Sequence, residues 1–320
     1  MTKQISDQVL SEIETLFNIA RTNGAHVSIR DIANLTSAGL TEAELRDAWT
    51  SNPFLTNTYK ISQDIVLESG KGVNELPSEV LAQESKKRKR AEEYLEFARQ
   101  FAAWCRSRKS RLLSVSGSVS YRSTGSADDL DFFIVSKKDS LWLLLARTLI
   151  LARVFRYLHP GSPRICFSYA IDEEYAAREF CSPRDPLSAR DALTTLVVQG
   201  PDFYTKLLIK NHWISSFYPK LYKQKTLNSP SETSFPTSSS ASSRFLNLLV
   251  YFVVGKYVNL KSELLNRQFQ RQRKYRSIFE VRMAKDHLVF ESNHYTRLRK
   301  IYRKLSRRIA FEDSPLLGWE

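Results

Sequence analysis

The sequence predicts an α+β protein with a small mixed sheet and its helices at the centre. Between residues 111 and 171, segments rich in β-branched and aromatic residues alternate with segments of helical periodicity. Amphipathic helical patterns dominate both flanking regions. Of the 320 residues 42% are apolar, so the chain can bury a core and is long enough for about two domains. A disordered chain is excluded.

The N-terminal region is predicted to form three helices followed by a strand hairpin. Residues 6–23 place apolar side chains on one face at helical spacing. Two shorter helices follow Ser28 and Thr41, and Glu44 completes the capping-box spacing after Thr41. Residues 58–69 then predict two short strands. This order is typical of a winged helix. Residues 41–49 carry one arginine against three acids, which favours domain packing over DNA binding.

Two linker-like segments divide the chain. Residues 70–78 combine glycines with a proline, and residues 226–243 hold eight serines and two prolines. The predicted units are therefore a winged-helix-like domain at 1–75, a central domain at 76–225, a Ser-rich flexible loop at 226–243 and a basic helical region at 244–320. In the last of these, basic amphipathic helices are expected at 245–283 and 294–310, and the second places Leu298 on its apolar face and Arg299 on the opposite, basic face.

The central domain is predicted to alternate strands and helices. Strands are expected at 111–118, 129–135 and 164–171, and helices at 85–106, 141–158, 188–199 and 201–215. The apolar stretches at 141–158 and 245–255 are too short or too interrupted by arginine for the roughly 20 apolar residues of a membrane helix. We expect two buried helices here and no transmembrane segment.

The residues with the clearest chemistry lie where the first of these strands ends and where the second begins. Gly117 and Ser118 come after the first strand, and Asp129-Leu130-Asp131 begin the second after ten intervening residues. Alternation along a strand sends both aspartates to one face and Leu130 to the other. Paired carboxylates suit hard divalent cations such as Mg²⁺ or Mn²⁺, which assist in-line phosphoryl transfer. A glycine permits close backbone approach, so Gly117 and Ser118 are candidates for holding phosphate.

This spacing resembles the signature of the DNA polymerase β-like nucleotidyltransferase superfamily: Gly-Ser, about ten residues, then Asp-hydrophobic-Asp-hydrophobic. The resemblance implies Mg²⁺-dependent (or Mn²⁺-dependent) transfer of a nucleoside monophosphate from an NTP to an unidentified acceptor. It assigns Asp129 and Asp131 to metal, and Gly117 and Ser118 to the triphosphate. Lys206 and Lys210 become candidates because some members contact the triphosphate from a lysine-bearing helix; a solvated helix face is the alternative.

The resemblance extends more loosely to prokaryotic nucleotidyltransferase-domain proteins, through the winged-helix-like segment, the Asn211-His212-Trp213 element and the basic C-terminal region. One departure concerns the third carboxylate that the superfamily places on the next strand. Only Asp172, at the end of that strand, is available, and alternation would put it on one face with Cys166. We therefore expect Asp172 to complete the catalytic centre if any residue does.

The positive charge of the chain is regional. The net charge is +14, and residues 244–311 hold 17 basic and 4 acidic residues, a net charge of +13. Such a field predicts a polyanionic partner, RNA or DNA, with an anionic membrane surface or a solvated basic face as alternatives. The rival function is accordingly a nucleic-acid-binding or regulatory protein with a degenerate transferase centre.

The cysteines and the N-terminal residues are informative about the cellular compartment of the protein. Three widely spaced cysteines form neither a disulfide framework nor a metal motif. The polar, acidic N-terminal residues do not resemble a secretory signal. A cytoplasmic location is expected.

Overall fold

The fold was described from a computed structural model, with elements numbered in chain order. The structure describes residues 5–22, 25–62, 64–68, 78–182, 184–227, 241–271, 279–292, 296 and 298–300. The predicted boundary near residue 75 and most of the Ser-rich loop lie outside these ranges.

The N-terminal part contains four helices and a small antiparallel sheet of order β1-β3-β2. Ser28 and Thr41 both form complete capping boxes, as their spacing predicts, with Asp31 and Glu44 as the reciprocal partners. Two elements were not predicted, the short strand β1 and the helix α4. The elements are α1 (Asp7–Thr22), β1 (Val27–Ser28), α2 (Ile29–Leu35), α3 (Glu42–Thr50), α4 (Pro53–Thr58), β2 (Tyr59–Ser62) and β3 (Ile65–Glu68).

The remainder of the described chain builds a larger sheet with helices on both faces, which confirms the predicted α+β class. Its first half comprises α5 (Ser78–Cys105), β4 (Ser110–Val115), α6 (Gly117–Ser120), β5 (Leu130–Ser136), α7 (Leu141–Leu158), β6 (Ile165–Asp172) and α8 (Glu173–Glu179). The second half comprises α9 (Pro186–Thr194), β7 (Leu196–Gln199), α10 (Pro201–Lys210), a 3-10 helix (His212–Ser216), α11 (Pro219–Thr226), α12 (Ala241–Arg271), β8 (Phe279–Ala284) and β9 (His287–Ser292).

The large sheet has the strand order β7-β4-β5-β6-β9-β8. Strands β5 and β6 run parallel, because α7 carries the chain back between them, and every other neighbouring pair is antiparallel. The parallel pair is central and largely apolar, as expected for strands covered on both faces.

Each face of this sheet has its own core. On one face, Phe101 of α5 lies against Phe132, Phe155 and Phe167, with ring centroids 5.4, 5.5 and 6.3 Å away. On the other face, Phe133 and its neighbours join the core of the N-terminal helices through α9, α10 and α11. The sheet therefore connects the two halves of the molecule.

Two predicted helices were partly wrong. The predicted helix 188–199 ends at Thr194, and Leu196–Gln199 form the edge strand β7. The predicted helix 245–283 ends at Arg271 in the structure, and Phe279–Ala284 pair with His287–Ser292 as a hairpin. Both errors concern short apolar runs, whose period does not separate strand from helix.

In the C-terminal basic region, Arg299 does not lie on the exposed basic face on which it was predicted. Arg299 is only 12% exposed, and its guanidinium pairs with Asp185 of α9 at 2.9 Å and with Glu291 of β9. The neighbouring Leu298 is buried against Ile19 and Leu187, as predicted for the apolar side. Residues 301–311 lie outside the described ranges.

Candidate active site

The candidate site lies where β5 begins. Asp129 precedes the first residue of β5 and Asp131 is its second, while Leu130 between them is fully buried in the core. We call Asp129 and Asp131 the carboxylate pair. Strand alternation therefore separates the pair from the core as the sequence predicts, and both carboxylates remain at the protein surface or just beneath it.

Gly117 brings the turn after β4 into contact with the carboxylate pair. Its φ is +67°, in the left-handed region, and a Cβ at this position would lie 2.6 Å from Oδ2 of Asp131. The backbone N–H of Ser116 donates to the Asp131 carbonyl at 3.0 Å, which fixes the two strands at this level. Only glycine fits here. Ser118 follows in the four-residue helix α6 and is partly exposed beside this contact.

The turn is anchored by Tyr121. The Tyr121 hydroxyl donates to the buried carboxylate of Asp191 in α9, and the Arg190 guanidinium lies over the tyrosine ring, 4.3 Å from its centroid. Burial raises the pKa of Asp191 to about 6 and that of Tyr121 well above its usual value. These contacts hold the Gly-Ser turn beside the carboxylate pair, and neither Asp129 nor Asp131 takes part in them.

The carboxylate pair lies in an unfavourable environment for negative charge. Burial, followed by repulsion from Asp129, raises the pKa of Asp131 to about 7, against an opposing hydrogen bond from the Cys166 thiol. Burial also raises the pKa of Asp129, although nearby cations oppose this shift. Among the described residues, no Lys, Arg or His side chain forms an ion pair with either carboxylate.

Three basic side chains act on Asp129 from a longer distance. Arg164, Lys261 and Arg156 each lower the pKa of this carboxyl. They come from the segment before β6, from α12 and from the last turn of α7. We call these three residues the basic rim. From the opposite side, Arg90 of α5 donates to the carbonyl of Thr124 at 3.2 Å, within the loop between α6 and β5.

Asp172 is not part of this site. Asp131 pairs with Cys166 across the parallel strands, whereas Asp172 pairs with Ser136, five residues and about 16 Å further along. The pairing register shifts by one residue near Ser168, so Asp172 does not share a face with Cys166 and the prediction on this point was wrong. Its carboxylate instead caps α8, accepting from Glu174 and Tyr175 N–H groups at 3.0 and 2.8 Å.

Lys206 and Lys210 are also not brought to the pair. Their helix, α10, starts at Gly200, which packs directly on the Arg111 carbonyl. At its other end Asn211 donates to the carbonyl of Ala176 in α8. Both anchoring points belong to the end of the sheet that holds Asp172.

Sequence reasoning missed several residues around the site. Cys166 occupies the position on β6 opposite Asp131, and strand alternation could have placed it there. Lys261, which acts on Asp129, is 132 residues from it in the sequence, and no local pattern indicates their proximity. Within the described ranges, no group of three His, Cys, Asp or Glu side chains is arranged to hold a metal ion. No described helix is long and apolar enough to cross a membrane.

Comparison of the chain with protein-family models, with curated proteins and with solved structures gives no significant match. The functional proposal therefore rests on the geometry of the described residues and on the motif resemblance.

Proposed function

We propose that this protein is a Mg²⁺- or Mn²⁺-dependent nucleotidyltransferase that moves a nucleoside monophosphate from an NTP to an acceptor hydroxyl or phosphate and releases pyrophosphate. The observation that carries the proposal is the contact between Gly117 and the Asp131 carboxylate. It brings the two halves of the Gly-Ser and Asp-x-Asp motif together at the ends of two adjacent strands.

The carboxylate pair fits a divalent cation. Asp131 is a buried carboxylate with a raised pKa, and a second carboxylate lies beside it. Binding of a cation is favoured at such a pair because the cation stabilises the ionised forms of both carboxylates. Two protein carboxylates suffice for Mg²⁺, which usually keeps several waters and takes other oxygens from substrate phosphates. When bound, such an ion neutralises charge on the transferring phosphate and on the attacking and leaving oxygens.

The chain's own residues have separate roles in this proposal. Gly117 lets the backbone approach the phosphates, and Ser118 offers its amide and hydroxyl to them. The basic rim supplies positive charge around a polyphosphate, as preorganised cations do in phosphoryl transfer. The superfamily's third carboxylate is replaced by Cys166, whose thiol pKa burial raises to about 12. The acceptor proton then leaves to solvent or to the substrate itself.

The test is pyrophosphate release. Purified protein is incubated with each NTP, Mg²⁺ or Mn²⁺, and a panel of RNA, DNA, protein and small-molecule acceptors. We expect metal-dependent pyrophosphate with at least one acceptor, lost in Asp131→Asn and retained in Asp202→Asn, which removes an exposed carboxylate on α10. Equal release by wild type and Asp131→Asn would contradict the proposal.

A second candidate is a nucleic-acid-binding or regulatory protein with a degenerate transferase centre. It is favoured by one observation, the thiol of Cys166 at the level of Asp131 where a third acid is absent. This candidate predicts metal-dependent nucleotide binding without pyrophosphate release from any acceptor. The same assay therefore separates the two candidates.

We infer that the winged-helix-like segment acts in domain packing. Lys220 of α11 donates to the carbonyls of Ala33 and Leu40. Glu84 of α5 pairs with His26 at 2.9 Å, and Arg88 lies 3.9 Å from Asp64 in the β2–β3 turn. Residues 86–90 are all basic (Lys-Lys-Arg-Lys-Arg), and this run thus contributes contacts within the protein.

A further inference from the structure

The exposed apolar side chains of this protein are concentrated on two helices. Of the 15 large hydrophobic side chains that are exposed in the described ranges, 13 belong to α7 or α12. Phe245, Phe252 and Val253 of α12 are 71%, 59% and 63% exposed, and Ile150 of α7 is 62% exposed. The sequence predicts both helices to be buried, so this exposure corrects that prediction, and exposed apolar patches of this kind mark interaction surfaces.

The two helices form one continuous surface. They lie side by side and parallel: at the start of α7 the Trp142 N–H donates to the Asn247 side chain at 2.9 Å, and towards the end of α7 Arg153 donates at 3.0 Å to the hydroxyl of Tyr257, in the middle of α12. The exposed apolar residues of both helices therefore face outward together. We call this surface the outer apolar face. Its members are Ile150, Val154, Tyr157, Leu158, Phe245, Leu246, Leu248, Leu249, Phe252, Val253, Tyr257, Leu260 and Leu264.

The outer apolar face is accompanied by positive charge. Between residues 141 and 158 and between 241 and 268 the only acidic residue is Glu263. The basic residues of these stretches all have exposed side chains, and they are Arg147, Arg153, Arg156, Arg244, Lys256, Lys261 and Arg267. An apolar face that includes Phe and Tyr, combined with Lys and Arg, is the composition of helices that lie in an anionic lipid interface.

We propose that the outer apolar face docks on an anionic lipid surface, with α7 and α12 lying in the plane of the headgroups. A second copy of the chain would place two like-charged faces against each other, which opposes self-association through this surface. Nucleic acid offers phosphates but no apolar layer for Phe245, Phe252 and Val253. Lipid matches both the apolar and the basic side chains, and neither metal nor nucleotide takes part.

This proposal is tested by flotation of the full chain with vesicles. The buffer contains EDTA and no nucleotide, so the result is independent of the transferase proposal. Vesicles of phosphatidylcholine plus phosphatidylglycerol are compared with phosphatidylcholine alone. We expect binding to the anionic vesicles that weakens with added salt. Phe252→Ser combined with Val253→Ser should lower the affinity at least about tenfold, because it removes most of two apolar side chains from the interface.

Matched control variants test whether vesicle binding depends on the outer apolar face or on other exposed residues. Phe54→Ser removes an exposed aromatic ring on α4, at 43% exposure, and should bind as wild type. Arg153→Gln and Lys256→Gln should each cost about fivefold, whereas Lys223→Gln on α11 should cost nothing. If the double serine variant does not fold, these charge variants decide the matter.

Three results would overturn the proposal. One is vesicle binding by the double serine variant equal to that of wild type. Another is a concentration-dependent dimer that the same variant abolishes, with no vesicle binding by wild type. The third is binding of a labelled RNA or DNA oligonucleotide by the wild type that weakens in the variants of the outer apolar face, when the wild type does not bind vesicles.

Discussion

The carboxylates at the two ends of the parallel strand pair differ in what surrounds them. Asp131 lies beside Asp129 and against the backbone of Gly117, and its pKa is raised to about 7. Asp172 lies over the first turn of α8, where the backbone N–H groups of Glu174 and Tyr175 donate to its carboxylate. Residue type alone does not distinguish these uses, because each carboxylate takes its function from the groups within hydrogen-bonding distance.

Gly117→Ala tests the contact on which the site depends. A Cβ would meet Oδ2 of Asp131, and the left-handed conformation itself costs about 1 to 2 kcal/mol for a residue with a Cβ. We expect loss of metal-dependent nucleotide binding together with lower thermal stability. Gly39→Ala is the matched control, since Gly39 has φ +62° and nothing within 4 Å of its Cβ position. The control should lose similar stability and keep nucleotide binding; loss of binding in both variants would show a nonspecific effect.

Asp172 should behave as a helix cap. Replacement by Ala should lower the free energy of unfolding by about 0.5 to 2 kcal/mol, whereas Asn retains the capping oxygen, so it should lose no stability and should preserve any transferase activity. Loss of activity in Asp172→Asn with an unchanged melting temperature would contradict this assignment.

The same aspartate predicts a pH dependence. Burial raises its pKa to about 6, so the protonated form is favoured by folding. Its contribution to stability is present at pH values below the unfolded pKa and is lost as the pH rises through about 6. Asp172→Asn should therefore gain stability relative to wild type between about pH 4 and pH 7, measured by thermal unfolding across that range. A constant difference across this range would mean that the pKa of Asp172 is not raised.

At the level of the elements, the sequence predicts helices with caps and strands with clear alternation. Ser28, Thr41 and the 141–158 helix follow such signals and are confirmed. Strand β7 and the β8–β9 hairpin were missed because their short apolar runs take strand form only through pairing with β4 and β6. The register shift near Ser168 also arises from pairing, and no residue pattern before it indicates a bulge.

Asn247 provides a test of how α12 and α7 are joined. Its side-chain oxygen accepts from the N–H groups of Trp142 and Leu143, at 2.9 and 3.3 Å, and so satisfies donors in the first turn of α7. Asn247→Ala should lower the free energy of unfolding by about 1 to 3 kcal/mol, because it leaves buried donors without a partner. Asn247→Asp retains the acceptor and should destabilise less in chemical denaturation. Equal stability of Asn247→Ala and wild type would mean that this contact is not formed.

At the level of the whole molecule, the candidate site collects residues from distant parts of the chain. The Gly117, Asp129 and Asp131 group could be predicted because it lies within 15 residues and strand geometry relates its members. The basic rim could not, since Lys261 reaches Asp129 only after α12 has packed on α7. The outer apolar face could not be predicted for the same reason. Helical periodicity shows which residues share a face, but only the packing of the helices shows how much of each helix is covered.

We propose above all that Asp129 and Asp131 hold a divalent cation together with a nucleotide. Calorimetric titration of the protein with a non-hydrolysable ATP analogue, once in Mn²⁺ and once in EDTA, measures this metal-dependent nucleotide binding. We expect binding only with metal, and its loss in Asp129→Asn and in Asp131→Asn. The fold should be retained, because burial already disfavours the ionised form of Asp131. Metal-dependent binding of wild-type affinity in both variants would contradict the account.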